Sequence, residues 1–136
     1  MKIIACACLA LLGFTAAAYA APDKAIRIEL NAAEVVQNRC RLSFVIENKN
    51  DTAIESLKLD LVVFGKDGGI QRRLVTEMAP LRPAKTIVKA FDIDGDCAPI
   101  ASILVNDVTA CAPGPADACL DRLTLESRLS TIRLFK

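Results

Sequence analysis

Apolar and polar residues alternate with a period of two along much of this chain, and that pattern predicts short, half-buried β-strands. The first candidate strand is Ile26–Leu30, and the two clearest are Cys40–Glu47 and Leu57–Phe64. In these two strands every second residue is expected to face the core, namely Cys40, Leu42, Phe44, Ile46, Leu57, Leu59, Leu61 and Val63.

Turn-forming residues separate the predicted strands. The polar cluster at 48–52 follows one strand, and Gly65-Lys66-Asp67-Gly68-Gly69 predicts a hairpin because Asp-Gly accepts positive φ at small cost. Ile70–Met78 is then the returning strand. Further strands are expected at 86–93 (with Ile87, Phe91 and Ile93 facing inward), at 102–109 and once or twice within 120–135. Helix is predicted only over 31–37 (NAAEVVQ) and 120–129 (LDRLTLESRL).

The regular spacing of these strands and turns predicts an all-β domain. About seven short strands favour an antiparallel β-sandwich, with an irregular barrel as the alternative.

The first twenty residues, MKIIACACLALLGFTAAAYA, contain one Lys followed by an uncharged run that ends in small residues. This pattern predicts a Sec-type signal peptide over 1–20 and a single sandwich domain over 21–136. The apolar run is too short for a membrane anchor, and no other stretch approaches transmembrane length. We therefore expect a bacterial periplasmic or secreted protein with no integral membrane segment after signal cleavage.

Composition removes several functional classes. Without Lys2 the chain has equal numbers of acidic and basic residues, it contains no Trp, and only 4% of its residues are aromatic, so we expect no nucleic acid partner. Histidine is absent, which removes Ser-His and Cys-His catalysis and His-ligated metals. We predict no enzyme activity, no catalytic residues, no metal site and no cofactor.

Four cysteines remain after signal cleavage: Cys40, Cys97, Cys111 and Cys119. An even number in an exported chain predicts two disulfides, and three pairings are possible. We favour Cys111–Cys119, because CAPGPADAC encloses a Pro-Gly-Pro turn, and Cys40–Cys97 then follows by elimination. The C-x-x-C spacing of a redox pair is missing, as are the close cysteine pairs of a zinc site. In the chain-entropy model, the disulfide that closes the short loop stabilises the domain by about 2.6 kcal/mol, and the one that closes the long loop stabilises it by about 4 kcal/mol.

Several elements follow one another in order between Phe44 and Ile93. A strand ends in Asn48 before a polar turn, and the amphipathic strand Leu57–Phe64 leads into the hairpin Lys66-Asp67-Gly68. The prolyl turn Pro80-Leu81-Arg82-Pro83 then precedes a strand that ends in Ala90-Phe91-Asp92-Ile93.

In this order of elements, residues 44–93 resemble the FxLyD-type immunoglobulin-like domain of bacterial extracytoplasmic proteins. Phe64, Gly65 and Ala84 stand where that family often has Tyr, Asp and Gly. The resemblance implies an immunoglobulin-like antiparallel β-sandwich and a non-catalytic role outside the cytoplasm, and it transfers no catalytic residues. Together with the cysteines, it predicts a disulfide-bonded sandwich of about seven strands.

Three polar features are candidate sites. Asp92-Ile93-Asp94-Gly95-Asp96 could hold Ca²⁺, although it lacks the ligand order of an EF-hand, and a strand-end turn is the other interpretation. Asp60, Glu29 and Glu47 lie on polar strand faces, but no spacing predicts a glycosidase-type pair. Asn50-Asp51-Thr52 has the form of a glycosylation sequon, and we expect no glycan there in a bacterial protein.

Val62 and Phe64 form one part of a possible partner surface. Both lie opposite the predicted core face of their strand. An exposed apolar pair of this kind marks a surface that binds a partner, and the alternative is that Leu134-Phe135 at the chain end covers them.

Arg72 and Arg73 form a second part of that possible surface. With Arg82 and Lys85 they could provide a basic rim for an acidic partner. The alternative is that they protect an edge strand from pairing with another chain.

Pro113 and Pro115 complete the possible surface as the outer residues of the Cys111–Cys119 loop. Taken together, the sequence predicts a non-catalytic periplasmic or secreted interaction or envelope-structural module whose partner is another envelope or secreted protein. The alternative is a secreted inhibitor that presents the Cys111–Cys119 loop to a hydrolase, because a closed loop loses little entropy on binding.

Overall fold

Two four-stranded β-sheets face each other in the computed structural model, which describes residues 25–136. The predicted signal peptide, residues 1–20, lies outside the described residues. The elements are β1 (Ile26–Val36), β2 (Arg39–Asn48), β3 (Ser56–Gly65), β4 (Ile70–Glu77), β5 (Thr86–Asp94), β6 (Ile100–Ala112), α1 (Ala116–Arg122), β7 (Leu123–Ser127) and β8 (Arg133–Phe135).

The first sheet has the order β5-β2-β1-β7 and the second has the order β4-β3-β6-β8. Strands β1 to β6 thus follow the A-B-E and C′-C-F arrangement of immunoglobulin-like sandwiches. The predicted all-β, disulfide-bonded sandwich is confirmed, with eight strands. Two of its strand pairings, β1 with β7 and β6 with β8, are parallel. The other four are antiparallel. Strand β4 is an edge, as predicted.

The core lies between the two sheets and consists of the alternating apolar residues. All eight residues predicted to face inward from the two clearest strands are at most 1% exposed. They pack against β1 and β6, and Phe44 contacts Phe91 of β5 with ring centroids 6.1 Å apart. Period-two patterning therefore determines which face of β2 and of β3 is directed at the core.

The predicted helix over 31–37 is wrong, because Ile26–Val36 forms one continuous strand. A two-residue turn follows, in which Gln37 and Asn38 have φ of 50° and 61°. Positive φ at both positions matches a type I′ hairpin, whose twist brings β2 back alongside β1. Pairing with β2 therefore decides the conformation of residues 31–36.

Strand β6 contains three irregularities that shift its register against β3. Its buried residues are Ile100, Ile103, Val105 and Val108, which is not a strict alternation. Each bulge places an extra residue in β6, so that the core-facing set resumes one position later.

The second predicted helix, over 120–129, is only partly correct. Helix α1 ends at Arg122, and the chain continues directly as strand β7. No helix among residues 25–136 is long and apolar enough to cross a membrane.

Both favoured disulfides are confirmed. Cys40–Cys97 joins residues separated by 57 positions and links β2 to the β5–β6 connection. Cys111–Cys119 joins residues separated by 8 positions and links the end of β6 to α1. The CAPGPADAC segment is therefore a strand-to-helix connection, with a cis peptide bond between Ala112 and Pro113.

A buried asparagine fastens two neighbouring loops. Asn48 is fully buried, and its Nδ2 donates to the carbonyls of Thr52 (2.9 Å), Arg82 (3.1 Å) and Leu81 (3.4 Å). Its Oδ1 accepts from the backbone N–H (3.0 Å) and the side-chain Nδ2 (2.9 Å) of Asn50. The loops between β2 and β3 and between β4 and β5 thus share one hydrogen-bonding centre.

The same network accounts for the sequon at Asn50. This residue is only 7% exposed, its Nδ2 is bonded to Asn48, and its Oδ1 accepts from Arg122 of α1. The amide nitrogen to which a glycan would be attached is therefore engaged inside the folded domain.

Candidate interaction surface

The outer face of the first sheet is polar and its charges are paired. Arg27 contacts both Glu29 and Glu126, the latter at 2.7 Å. Arg41 donates to both carboxylate oxygens of Asp92, at 2.7 and 2.9 Å. The hydrogen bonds from Arg41 hold the pKa of Asp92 below its ordinary value. Its one strongly exposed apolar residue is Val88, at 67%, which pairs with Val45 on the same face.

The outer face of the second sheet is different, and we call it the β3–β6 face. Cross-strand register aligns Phe64 with Ser102 and Arg133, and it aligns Val62 with Leu104 and Phe135. On the edge strand β4 the same face continues through apolar residues that are strongly exposed, Ile70 at 69% and Val75 at 60%. The apolar residues of the β3–β6 face are Val62, Phe64, Ile70, Val75, Leu104 and Phe135.

One buried carboxylate lies within the β3–β6 face. Asp60 is 4% exposed, and it accepts two hydrogen bonds from Arg73, at 2.9 and 2.6 Å, and a third from Asn106, at 2.8 Å. The hydrogen bonds from Arg73, followed by that from Asn106, lower the pKa of Asp60 and outweigh the opposing effect of burial. The negative charge of Asp60 is therefore neutralised within the face, and the cation that neutralises it is Arg73.

A groove of about 390 Å³ runs across the end of this face. Phe64 of β3, Ala101 and Ser102 of β6 and Phe135 of β8 line it. Its remaining lining residues are Gly65, Lys66, Gly68 and Arg133. Strand β6 lies between β3 and β8, so Phe64 and Phe135 belong to strands on either side of β6.

The six predicted surface residues do not lie together. Val62 and Phe64 both belong to the β3–β6 face, but the expectation that Val62 is exposed is wrong, because it is only 6% exposed beneath its neighbours; Phe64 is half-buried. Arg73 is on the same face but is paired with Asp60. Arg72 points to the other side of β4, where it donates to the carbonyl of Asp94 at 3.3 Å.

Pro113 and Pro115 are exposed, but they lie at the opposite end of the sheet. The preceding Ala112 pairs with Ser56, eight residues before Phe64 on β3, which corresponds to about 26 Å along a strand. The structure thus separates the predicted prolyl surface from Val62 and Phe64.

Two basic side chains bridge the edge strands β4 and β5. Arg72 reaches from β4 to Asp94 in β5, and the Nζ of Lys89 in β5 donates to the carbonyls of Glu77 (3.0 Å) and Ala79. Charged residues that point across an open edge hinder pairing with another chain. The edge-protecting interpretation therefore fits Arg72.

The acidic stretch 92–96 does not gather its carboxylates at one point. Asp92 is bonded to Arg41, Asp94 pairs with Arg39 at 3.1 Å, and Asp96 accepts from the Ala98 amide. Among residues 25–136 no group of three or more His, Cys, Asp or Glu side chains is placed to hold a metal ion. The described geometry is that of a strand-end turn with ion pairs.

The carboxylates considered for glycoside hydrolysis are also separated. Asp60 lies on the outer face of the second sheet, whereas Glu29 and Glu47 belong to the first sheet. The two layers of the sandwich lie between Asp60 and the other two residues, so Asp60 cannot flank one bond of a substrate together with either of them.

Sequence reasoning missed Lys66, Leu104 and Arg133 as members of this site. Lys66 lies in the predicted hairpin, and its backbone N–H donates to the Pro99 carbonyl at 2.9 Å. The register of β6 with β3 and β8 places Leu104 on the β3–β6 face and Arg133 at the groove. The one available signal was the apolar chain end, because Phe135 follows Arg133 at the spacing of a strand face.

Comparisons with protein-family models, curated proteins and solved structures found no match to this chain.

Proposed function

We propose that this protein is a non-catalytic interaction module of the periplasm or the extracellular space, and that it binds another envelope or secreted protein through its β3–β6 face. The observation that carries the proposal is the contrast between the two outer faces. The outer face of the first sheet carries the ion pairs of Arg27 and Arg41 and one strongly exposed apolar residue, Val88. The β3–β6 face instead carries five exposed or half-buried apolar residues beside the neutralised Asp60, namely Phe64, Ile70, Val75, Leu104 and Phe135. Apolar side chains gathered on one face of a soluble domain are typical of a binding surface.

Location outside the cytoplasm is supported by two features of the chain. Its first twenty residues have the pattern of a signal peptide. The domain also contains two disulfides, which form and persist mainly in oxidising compartments. The resemblance of residues 44–93 to FxLyD-type domains supports the same role, because that resemblance implies a non-catalytic extracytoplasmic domain.

The inhibitor alternative has less geometric support. Within the Cys111–Cys119 loop, helix α1 begins at Ala116 and packs against β6, with Cys119 buried. Only Pro113, Gly114 and Pro115 form an exposed run outside regular structure. Three residues are a short segment to insert into a hydrolase cleft, so we rank this function second.

Site-specific photocrosslinking in the producing cell tests the proposal. A photoreactive residue at Ser102, in the centre of the β3–β6 face, should give a discrete adduct with another protein. The matched control is Ser43, which is also half-buried and lies centrally on the outer face of the first sheet. The adduct should disappear when Phe64→Lys is introduced in the same chain.

Equal crosslinking from Ser43 and Ser102 would contradict the proposal, as would adducts with the same chain alone. Fractionation of the same cells tests the location, since the adduct should be found outside the cytoplasm. An adduct that forms only from a photoreactive residue at Pro115 would favour the inhibitor instead.

A further inference from the structure

We infer that the groove between Phe64 and Phe135 binds an acidic segment of the partner protein, in which an apolar side chain is followed or preceded by a carboxylate. The inference rests on the proposed function and specifies the chemistry of the partner. Its two parts come from the floor of the groove and from its rim.

The apolar lining of the groove is the reason to expect an apolar side chain in the partner segment. Phe64, Ala101 and Phe135 line the groove, and both aromatic residues are half-buried, so part of each side chain remains accessible. A volume of about 390 Å³ lies near the lower end of the range for ligand sites. It suits one or two side chains rather than a large cofactor.

The charge at the rim of the groove is the reason to expect a carboxylate in the partner segment. Lys66 and Arg133 are both exposed, and no acidic residue lines the groove. Among residues 25–136, neither cation takes part in an ion pair. The adjacent acid, Asp67, instead accepts a hydrogen bond from the Gly69 amide at 3.0 Å and shapes the hairpin.

The position of Arg133 favours a planar anion. Its guanidinium carbon lies 4.3 Å from the centroid of the Phe135 ring, so the side chain is stacked on the floor of the groove. A stacked guanidinium keeps its edge available for two parallel hydrogen bonds to a carboxylate.

A second depression on the same face lacks this combination. It is lined by Leu104, Leu120, Asp121 and Lys136, among others. Lys136 there donates to the carbonyls of Leu120 and Asp121, and the Asp121 side chain adds a negative charge. Its electrostatics do not select for an acidic segment, which restricts the inference to the groove at Phe64.

A peptide titration followed by NMR tests this inference. The probe is an acetylated and amidated pentapeptide, Asp-Phe-Glu-Phe-Asp, and its neutral match is Asn-Phe-Gln-Phe-Asn. Both are added to isotope-labelled protein purified from the periplasm of the expressing host. We expect the acidic peptide to shift the amides of Lys66, Gly68, Ser102 and Arg133, and to bind about three- to tenfold more tightly than the neutral one.

Charge variants and added salt test whether Lys66 and Arg133 together cause the preference for the acidic peptide. The double variant Lys66→Gln and Arg133→Gln should bind both peptides equally, whereas the control Arg82→Gln and Lys85→Gln should keep the preference. Both doubles remove two exposed positive charges, but only the first pair lines the groove. In 1 M salt the preference should shrink, since the Debye length falls to about 3 Å.

The outcomes distinguish this inference from the proposed function. Equal binding of both peptides at the groove would overturn the acidic chemistry and leave the β3–β6 face as the binding surface. Shifts elsewhere, or none with either peptide, would overturn the inference, while the Ser102 crosslink tests the proposed function separately. Binding to phosphatidylglycerol vesicles through Lys66 and Arg133, without peptide binding, would overturn it in favour of a membrane surface.

Discussion

The substitution Asn48→Ala should destabilise the domain more than any exposed polar substitution, because Asn48 connects two loops from a fully buried position. The alanine variant leaves the carbonyls of Thr52 and Arg82 without the amide donor that they share. It also removes the acceptor for the backbone N–H and the side chain of Asn50. The buried Asn50 is therefore the neighbour most affected.

The magnitude follows from the number of bonds lost. Four of the hydrogen bonds of Asn48 are 3.1 Å or shorter, and each contributes about 1 kcal/mol net. The fifth, to Leu81, is 3.4 Å long, and that carbonyl also accepts from the Ile54 amide. Allowing for water that reaches the loops, we expect a loss of about 3 kcal/mol, which lowers Tm by about 12 °C for a domain of this size.

Far-UV circular dichroism during urea and thermal unfolding measures this loss, since the chain contains no Trp to serve as a fluorescent probe. The control is Asn106→Ala, which removes one hydrogen bond from an exposed side chain and should cost about 1 kcal/mol. If the two variants lose the same stability, backbone pairing and the disulfides hold the loops and our assignment of Asn48 is incorrect.

Three further predictions concern a buried hydroxyl, backbone strain and the pH dependence of stability. Thr76 is 4% exposed, and its hydroxyl has no hydrogen-bond partner among residues 25–136. Thr76→Val should therefore raise the free energy of unfolding, measured by urea titration, by about 1 kcal/mol. A lower free energy of unfolding in this variant would refute the prediction. Ala84 has φ of 51°, so Ala84→Gly should raise Tm by relieving about 1 kcal/mol of left-handed strain, whereas Ala90→Gly within β5 should lower it. The pKa values of Asp60 and Asp92 are lowered by folding, so their stabilisation is complete above the ordinary carboxyl pKa and is lost as pH falls through the folded values. Unfolding free energy should therefore decline below about pH 4, and an unchanged decline in Asp60→Asn would show that Asp60 contributes nothing to it.

Local patterns predict the faces of the strands well and their conformation less reliably. The alternation in β2 and β3 identified the eight core-facing apolar positions, but not the buried Asp60 and Val62 on the opposite side of β3. The segment 31–37 contains Ala, Glu and Gln, which favour helix, yet residues 31–36 belong to strand β1 and Gln37 to the turn that follows. A helix this short is marginal by itself, so the pairing with β2 decides. The buried positions of β6 escape any periodic rule because its bulges depend on the partner strand.

The candidate surface was predicted in part for a similar reason. Val62 and Phe64 could be identified from one strand, since they alternate with core residues on that strand. The groove depends on β8, which lies beside β6 through a parallel pairing of only three residue pairs. Arg72 and Arg73 are adjacent in sequence, but the alternation of a strand sends them to opposite sides. Their hydrogen-bond partners, Asp94 and Asp60, are distant in sequence, so the sequence alone does not show that both arginines are already bonded within the domain.

The parallel pairing of β7 with β1 also has a consequence for the order of assembly. The ion pair between Arg27 and Glu126 joins residues 99 positions apart, so the first strand gains its second neighbour only after nearly the whole domain has been delivered. Until residues 123–135 arrive, both β1 and β6 have one unpaired edge, which is the condition in which β-proteins associate wrongly. A chain that emerges from a membrane channel amino-terminus first would therefore depend most on assistance in the moments before its last two strands appear.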